Sequence, residues 1–248
     1  MAFADAVFDG RAFLDGVEAI RIEDLALLPA LLDAHGQVPL VVADFDAVFA
    51  ACRPDVLVDA RMRKHSQPEQ QRGLAPLTIG LGPNFVAGRT ADLAIETSWD
   101  ALGDVIEHGA TRPLAGEPRA LAGHRRDRYV YAPHPGVFRT DCEIGEAVRP
   151  GETIADIDGT PLTVQLAGVL RGLTRNGVPV ERGTKVIEID PRGTDAVVAG
   201  IAERPARIAD GVLRVLALWS ERRDGPVRLA AGGESGQEAP PVSKSRAY

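Results

Sequence analysis

From Tyr131 to Gly193 the chain says nearly the same thing twice, and a repeat this short limits what it can fold into. Sliding "YAPHPGVFRTDCEIGEAVRPGETIADIDG" by 32 positions aligns Gly136 with Gly168, Val137 with Val169, Arg139 with Arg171, Gly145 with Gly177, Val148 with Val180 and Gly151 with Gly183. Ile154 and Ile157 fall on Val186 and Ile189, and Asp158 falls on Asp190. The shared glycines and alternation mark an internal duplication. Each copy reads as a strand start (GVFR or GVLR), a turn, a V-x-x-G turn and an alternating strand. One copy cannot bury its apolar face alone, whereas two related by a pseudo-twofold axis can enclose one core. The glycines are expected in turns with unusual φ rather than around a phosphate.

This stretch resembles the barrel-sandwich hybrid fold of biotinyl and lipoyl carrier domains, the opening "APHPG" included. In such carriers the hairpin joining the copies holds the cofactor-bearing lysine. Here that hairpin is Asp158, Gly159, Thr160 and Pro161, and the chain's lysines are Lys64, Lys185 and Lys244. No amine is placed to form the amide, so neither covalent biotin nor lipoate is expected, and the repeat reads as a docking or structural module.

The first half follows another pattern. Four apolar, β-branched runs, "VPLVVA" (38–43), "DVLVDA" (55–60), "LTIGLG" (77–82) and "DLAIET" (92–97), read as strands. Between the first two, Phe45, Val48, Phe49 and Cys52 recur at helical spacing before Pro54, a strand, helix, strand pattern suited to parallel pairing. Leu25, Leu28, Leu31 and Leu32 predict an earlier helix ending before Gly36. The expectation is a small α/β layer with helices over nearly continuous apolar strands, and a ligand edge at the strand ends.

A segment rich in Gly and Pro, "GATRPLAGEPRALAGHRRDR", then separates the halves. The chain therefore divides into a truncated Rossmann-like α/β domain (1–126), the duplicated β domain (127–193), a helical segment (194–230) packing back on the first domain, and a disordered tail (231–248). Pro205 is expected to break or kink the helical segment.

Composition excludes some functions. A net charge of -7 leaves no basic excess for nucleic acid. No apolar run is long enough to cross a membrane and the first residues lack the pattern of a signal peptide, so the expected location is cytoplasmic. Cys52 and Cys142 have no metal spacing; Cys52 reads as packing on an apolar helical face and Cys142 as part of the "TDCEIG" turn. His108, His124 and His134 are too scattered for a metal triad.

Candidate ligand residues gather after the strands. Asp59 ends one strand and is followed by Arg61, Arg63, Lys64 and His65, an arrangement able to meet an anionic ligand or simply to form a charged loop. In "IGLGPNFVAG", Gly80, Gly82 and Gly88 permit close backbone approach and Asn84 offers an amide or a turn. The glycine spacing fits neither a phosphate loop nor a dinucleotide fingerprint. Glu96 ends the fourth strand.

In this order, "FADAVFDG", "PDVLVDARMRK", "IGLGPNFVAG", "AIETSWDALGDVI", "YAPHPGVF", "GVLRGL" and "IDPRG" resemble the selenium-dependent molybdenum hydroxylase system proteins, over about residues 1–220. The resemblance implies a maturation role for a molybdenum hydroxylase, with Asp59, Arg61 and Lys64, the glycine loop Gly80, Gly82, Pro83 and Gly88, and the pair Glu96 and Thr97 at the positions shared with the family. Where the family has glycine this chain has Asn84. The family also carries a glycine-rich Rossmann segment ahead of the part matching "FADAVFDG", which these residues lack, so NAD binding is not expected. Three functions follow: an accessory protein that binds the molybdenum cofactor or a chalcogen-donating partner, a non-catalytic scaffold that docks the immature hydroxylase, or a sulfur or selenium transfer enzyme using Cys52 or Cys142. An apolar sheet edge left open by the missing segment makes a homodimer or partner contact the expected consequence.

Overall fold

The computed structural model describes residues 3–63, 66–114, 116 and 118–222. It is a mixed α/β fold with several sheets and a C-terminal helix. The chain opens with helix α1 (Ala6–Asp9), strands β1 (Arg11–Leu14) and β2 (Val17–Ile22), helix α2 (Leu28–Asp33) and strand β3 (Val38–Val41). β1 and β2 form an antiparallel hairpin and β3 joins β2 in parallel, so that Ala12, Ala19 and Leu40 share one face, packed under Ala6 of α1.

Helix α3 (Phe45–Cys52) follows, started by Asp44, whose carboxylate accepts from Asp46 N at 2.9 Å and Ala47 N at 3.4 Å. That side chain satisfies two of the helix's orphan donors. Next come β4 (Val56–Asp59), β5 (Leu77–Leu81), β6 (Val86–Ala87), β7 (Leu93–Ile95), β8 (Val105–Ile106) and β9 (Gly109–Ala110). β4, β5 and β7 run parallel, β8 closes that sheet antiparallel, and β6 pairs with β9 as a separate ribbon.

The strand, helix, strand expectation is corrected in its pairing. β3 and β4 do not share a sheet: β3 bonds to β2, β4 bonds to β5, and each is an outer strand of its own sheet. The crossover helix α3 therefore has no common sheet to lie on, and none of its residues is buried. Cys52, expected as packing, is only partly buried for the same reason.

The sheet of β4, β5 and β7 is covered by helix α4 (Glu203–Arg222), whose Ile208 and Val215 pack against Leu77, Ile79, Leu81, Ile95 and Leu102. The approach is close enough to require glycine twice. A Cβ on Gly211 would stand 2.5 Å from Gly103 O, and one on Gly103 would stand 2.2 Å from Arg207 O. Pro205 does not interrupt α4, because it sits in the first turn, where a backbone N–H has no intrahelical acceptor to lose. The helix begins later than its sequence pattern suggests, at Glu203, and residues 223–248, including the expected tail, lie outside the described residues.

The duplicated stretch contains eight strands: β10 (Tyr129–Tyr131), β11 (Gly136–Arg139), β12 (Ala147–Val148), β13 (Thr153–Ile157), β14 (Thr160–Thr163), β15 (Gly168–Leu173), β16 (Pro179–Val180) and β17 (Lys185–Asp190). They form two sheets, ordered β10-β17-β15-β12 and β14-β13-β11-β16. In each sheet two central strands of one copy are flanked by two edge strands of the other, so the copies are interlocked. The backbone bonds repeat with them. Gly145 N donates to Leu170 O and Gly177 N to Phe138 O, both at 2.8 Å; Gly151 N donates to Val164 O and Gly183 N to Ala132 O, again both at 2.8 Å.

The buried residues pair in the same way: Ala132 with Val164, Phe138 with Leu170, Val148 with Val180, Ile154 with Val186, Ala155 with Ile187, and Ile157 with Ile189. Truncating any one of the larger members would cost about 2–5 kcal/mol, because both copies line the same core. Four of the six shared glycines serve turns as expected, Gly145, Gly151, Gly177 and Gly183 all having positive φ, whereas Gly136 and Gly168 open β11 and β15, where an added Cβ would meet Asp158 Oδ2 at 2.3 Å and Asp190 O at 2.2 Å. At the joining hairpin Asp158 (φ 46°) and Gly159 (φ 85°) supply the two positive φ values of a tight two-residue turn.

Candidate functional site

The carboxyl ends of β4, β5 and β7 bring most of the predicted site residues to one edge. Asp59 lies opposite Gly80, and Gly80 opposite Ala94, so the three share a sheet face. The Asp59 side chain is buried and accepts from Arg61 Nε at 3.0 Å, Arg61 Nη2 at 2.6 Å and Gln71 Nε2 at 2.5 Å. Its Oδ1 also takes the Arg61 backbone N–H at 3.0 Å, which folds the chain back over the strand end. Burial alone would raise the Asp59 carboxyl, but the bonds from Arg61 and Gln71 together outweigh it and hold the group below its ordinary value.

The basic loop is closed on itself. Arg61 Nη2 also donates to Glu69 Oε2 at 3.0 Å, and Arg63 Nη1 donates to Glu69 Oε1 at 2.6 Å while its Nη2 meets Oε2. Glu69 is held at about 2, first by the bond from Arg63. The result is a chain of alternating charges running Asp59, Arg61, Glu69, Arg63, with the neutral Gln71 amide donating to its Asp59 end. Lys64 and His65, predicted beside them, lie outside the described residues.

The glycine loop has structural causes at three of its positions. A Cβ on Gly80 would stand 2.1 Å from Phe85 Cδ1: the Phe85 ring lies flat over the strand, and only glycine leaves room for it. Gly82 (φ 107°) faces Met62, whose Cα would be 3.3 Å from an added Cβ, so the loops after β4 and β5 touch there. Gly88 turns the chain with its N–H on Ala91 O at 2.8 Å, away from the strand ends. Asn84 has φ 68°, the left-handed conformation that a glycine at this position would adopt freely and that asparagine tolerates.

Glu96 is spent on the backbone. Its Oε1 accepts from Thr97 N at 2.7 Å and Ser98 N at 2.8 Å, and its Oε2 accepts from Arg112 N at 2.8 Å. A buried carboxylate with three backbone donors fixes the loop after β7. Arg204 of α4 reaches the same loop and donates to Thr97 O at 3.0 Å; burial pulls its guanidinium below the usual arginine value.

Asp59, Arg61, Gly80, Gly82, Asn84 and Glu96 therefore belong to one sheet edge, while Gly88 does not. Glu69, Gln71, Phe85 and Arg204 complete the edge and escape a reading of the sequence. Glu69 and Gln71 sit in the polar run "HSQPEQQ", which carries no periodicity, and Arg204 lies more than a hundred residues from the strands it serves. Among the described residues no group of three or more His, Cys, Asp or Glu could hold a metal ion.

The two thiols lie on different elements. Cys52 ends α3, and Cys142 lines an open cleft of about 530 Å³ between the equivalent loops 140–144 and 173–176, beside Asp5. Burial raises both thiols, with the Glu146 charge adding to the effect at Cys142. Neither is disposed to be a thiolate near neutral pH.

No family model matches the chain. It is 34% identical over 219 residues to YqeB of Escherichia coli K12, an uncharacterized protein; the match takes in 87% of this chain and 40% of that one. The chain thus spans about two fifths of the length of this relative. Among solved structures, a succinylglutamatedesuccinylase/aspartoacylase from Rhodobacter sphaeroides is 18% identical, with 69% of this chain and 44% of that chain covered at a TM-score of 0.22, a likeness too low to bear on fold or chemistry. No helix among the described residues is long and apolar enough to cross a membrane.

Proposed function

We propose that this chain is a cytoplasmic, non-catalytic accessory protein in the maturation of a molybdenum hydroxylase, holding the immature enzyme rather than transforming a substrate. Its first half is read as a truncated Rossmann-like sheet and its duplicated half as a barrel-sandwich hybrid without an attachment lysine. The tie to hydroxylases rests on the resemblance of its ordered motifs.

One observation carries the docking reading over cofactor handling or catalysis: the cations at the strand edge are already engaged. Freeing Arg61 for a pterin phosphate would strip the buried Asp59 of its bidentate partner and cost about 1–3 kcal/mol before any ligand bond formed. Arg61 and Arg63 therefore do not suit the molybdenum cofactor's phosphate in this arrangement. The raised thiols of Cys52 and Cys142 likewise weigh against sulfur or selenium transfer.

Mixing the purified chain with a molybdenum hydroxylase produced without its cofactor, followed by light scattering after size exclusion, tests the reading. A stoichiometric complex is expected, unchanged in a Cys52→Ala, Cys142→Ala variant. No complex, or a complex that needs either thiol, would reject it.

A further inference from the structure

The repeat supplies its own reference for the charges its fold needs. In the second copy Glu188 of β17 gathers three cations. Its Oε1 accepts from Arg128 Nη1 at 2.5 Å and its Oε2 from Lys185 Nζ at 2.7 Å, while Arg171 Nε stands 4.0 Å from Oε1. The offset of 32 puts Thr160, Thr153, Arg139 and Asp156 at the positions of Arg128, Lys185, Arg171 and Glu188. At these positions the first copy builds the same sheet with one cation and one anion, so the fold requires neither Arg128 nor Lys185.

The cluster is unbalanced and partly withdrawn from water. The Arg128 and Glu188 side chains are 7% and 15% exposed, and Arg171 is 31% exposed. Asp190 does not redress the excess, because Arg192 holds its two oxygens at 2.9 Å and 2.7 Å. Three cations against one carboxylate leave two positive charges around Glu188, where repulsion is stronger than in bulk water. Their donors are not spent. At 4.0 Å from both Glu188 and Asp190, Arg171 is held by charge without a hydrogen bond. Arg128 Nε is buried and has no acceptor among the described residues.

The backbone sets these groups beside one recess. Leu170 pairs with Ile189 and Gly172 with Glu188, so Arg171 is the extra residue of a β-bulge, a device that re-aims a side chain. The Tyr129 ring positions the other two cations, with the Arg128 guanidinium 4.5 Å and Lys185 Nζ 4.6 Å from its centroid. Gly172, Thr174, Lys185 and Glu188 line a recess of about 150 Å³. A Cβ on Gly172 would stand 3.2 Å from Glu188 Cβ, so the glycine leaves the space beside Glu188 open. We infer that this face of β15 and β17 binds a compact, doubly charged oxyanion, inorganic phosphate or the phosphate group of a small monoester. Lys185 on one side of Glu188 and Arg171 on the other neutralise it, and the Thr174 hydroxyl donates to it. A phosphate group carries about −1.5 to −2 at neutral pH and several strong acceptor oxygens, which matches the two unbalanced charges and the unspent donors. The site is separate from the Asp59 strand edge, and the inference does not rest on the docking reading.

Isothermal titration of the purified chain with sodium phosphate and with glycerol phosphate, at ionic strength held constant by sodium chloride, tests the site. One site per chain is expected, with a dissociation constant of about 1 mM or below. Lys185→Gln and Arg171→Gln should each weaken binding at least fivefold, whereas Arg139→Gln, the equivalent position in the first copy, should not. Phosphate should raise the wild-type melting temperature more than chloride does at equal ionic strength, and both variants, folded in chloride, should lose that excess. Binding of phosphate alone assigns the site to the free ion, and equal binding of the ester assigns it to the phosphate group. No saturable binding by about 10 mM overturns the proposal. Binding that survives both variants, or that falls as far in Arg139→Gln, marks an adventitious ion only and overturns it too. Succinate bound more tightly than phosphate would give the cations to a dicarboxylate and overturn it equally.

Discussion

Replacing Gly211 by alanine sets two physical effects of opposite sign against each other. In an exposed helix interior the change stabilises by about 1 kcal/mol, because alanine restricts the unfolded chain and favours the helix. In α4 the added methyl would stand 2.5 Å from Gly103 O and 3.0 Å from Ile95 Cγ2. Backbone on one side and a buried isoleucine on the other leave nothing flexible to yield, so α4 must back away from β7. Overpacking of this kind costs about 1–3 kcal/mol, and separating Ile208 and Val215 from the sheet adds lost burial. The net expectation is a loss of about 1–2 kcal/mol, which for a chain of this size lowers Tm by roughly 2–8 °C. Thermal unfolding followed by circular dichroism measures it, with Asp210→Ala, one residue earlier on the exposed face, as the control expected to stay within about 0.5 kcal/mol of wild type. A Gly211→Ala protein as stable as wild type would refute the close packing of α4 on the parallel sheet.

The two strand-opening glycines of the repeat should differ despite their symmetry. A methyl on Gly168 meets the Asp190 backbone oxygen at 2.2 Å, whereas one on Gly136 meets first the end of the Asp158 side chain at 2.3 Å, so Gly168→Ala should lower the urea midpoint more than Gly136→Ala. Acid should destabilise the protein in a defined window. Asp59, Glu69, Glu188 and Asp190 all sit below their ordinary values in the folded chain, so the unfolded chain binds more protons as pH falls, and their contribution, complete above the ordinary carboxylate range, is lost from there down towards about 2, the value of Glu69. Urea midpoints at neutral and acid pH should differ less in Asp59→Asn than in wild type; an equal difference would remove Asp59 from the account. Iodoacetamide should modify Cys52 and Cys142 more slowly than it modifies a free thiol at neutral pH, as followed by mass spectrometry.

What the sequence made legible depended on whether the determining contacts were local or repeated. The duplication showed because core residues recur at equivalent places, Phe138 with Leu170 and Ile157 with Ile189. The interlocking did not show: β10 and β14 share almost no residue identity, and an offset says nothing about which copy's strand borders which sheet. The helical spacing of Phe45, Val48 and Phe49 was readable, but the partners of β3 and β4 are set by long-range pairing that periodicity does not encode. At the strand edge, Asp59 and Arg61 stood out as charges after an apolar run. Their engagement with each other and with Glu69 and Gln71 did not, because it depends on how a loop without periodicity folds back. Gly80 is similar: a permissive residue in sequence, and in space the floor under Phe85.

With the strand-edge arginines engaged by Asp59 and Glu69, docking is the proposed action of the chain. Anaerobic titration of the purified chain with molybdenum cofactor, read as molybdenum and pterin retained per chain, addresses it most directly. Retention no greater than on an unrelated acidic protein is expected, with no change on replacing Arg61 and Lys64 by alanine. Retention near one equivalent, lost in that double variant, would contradict it and return the edge to a cofactor.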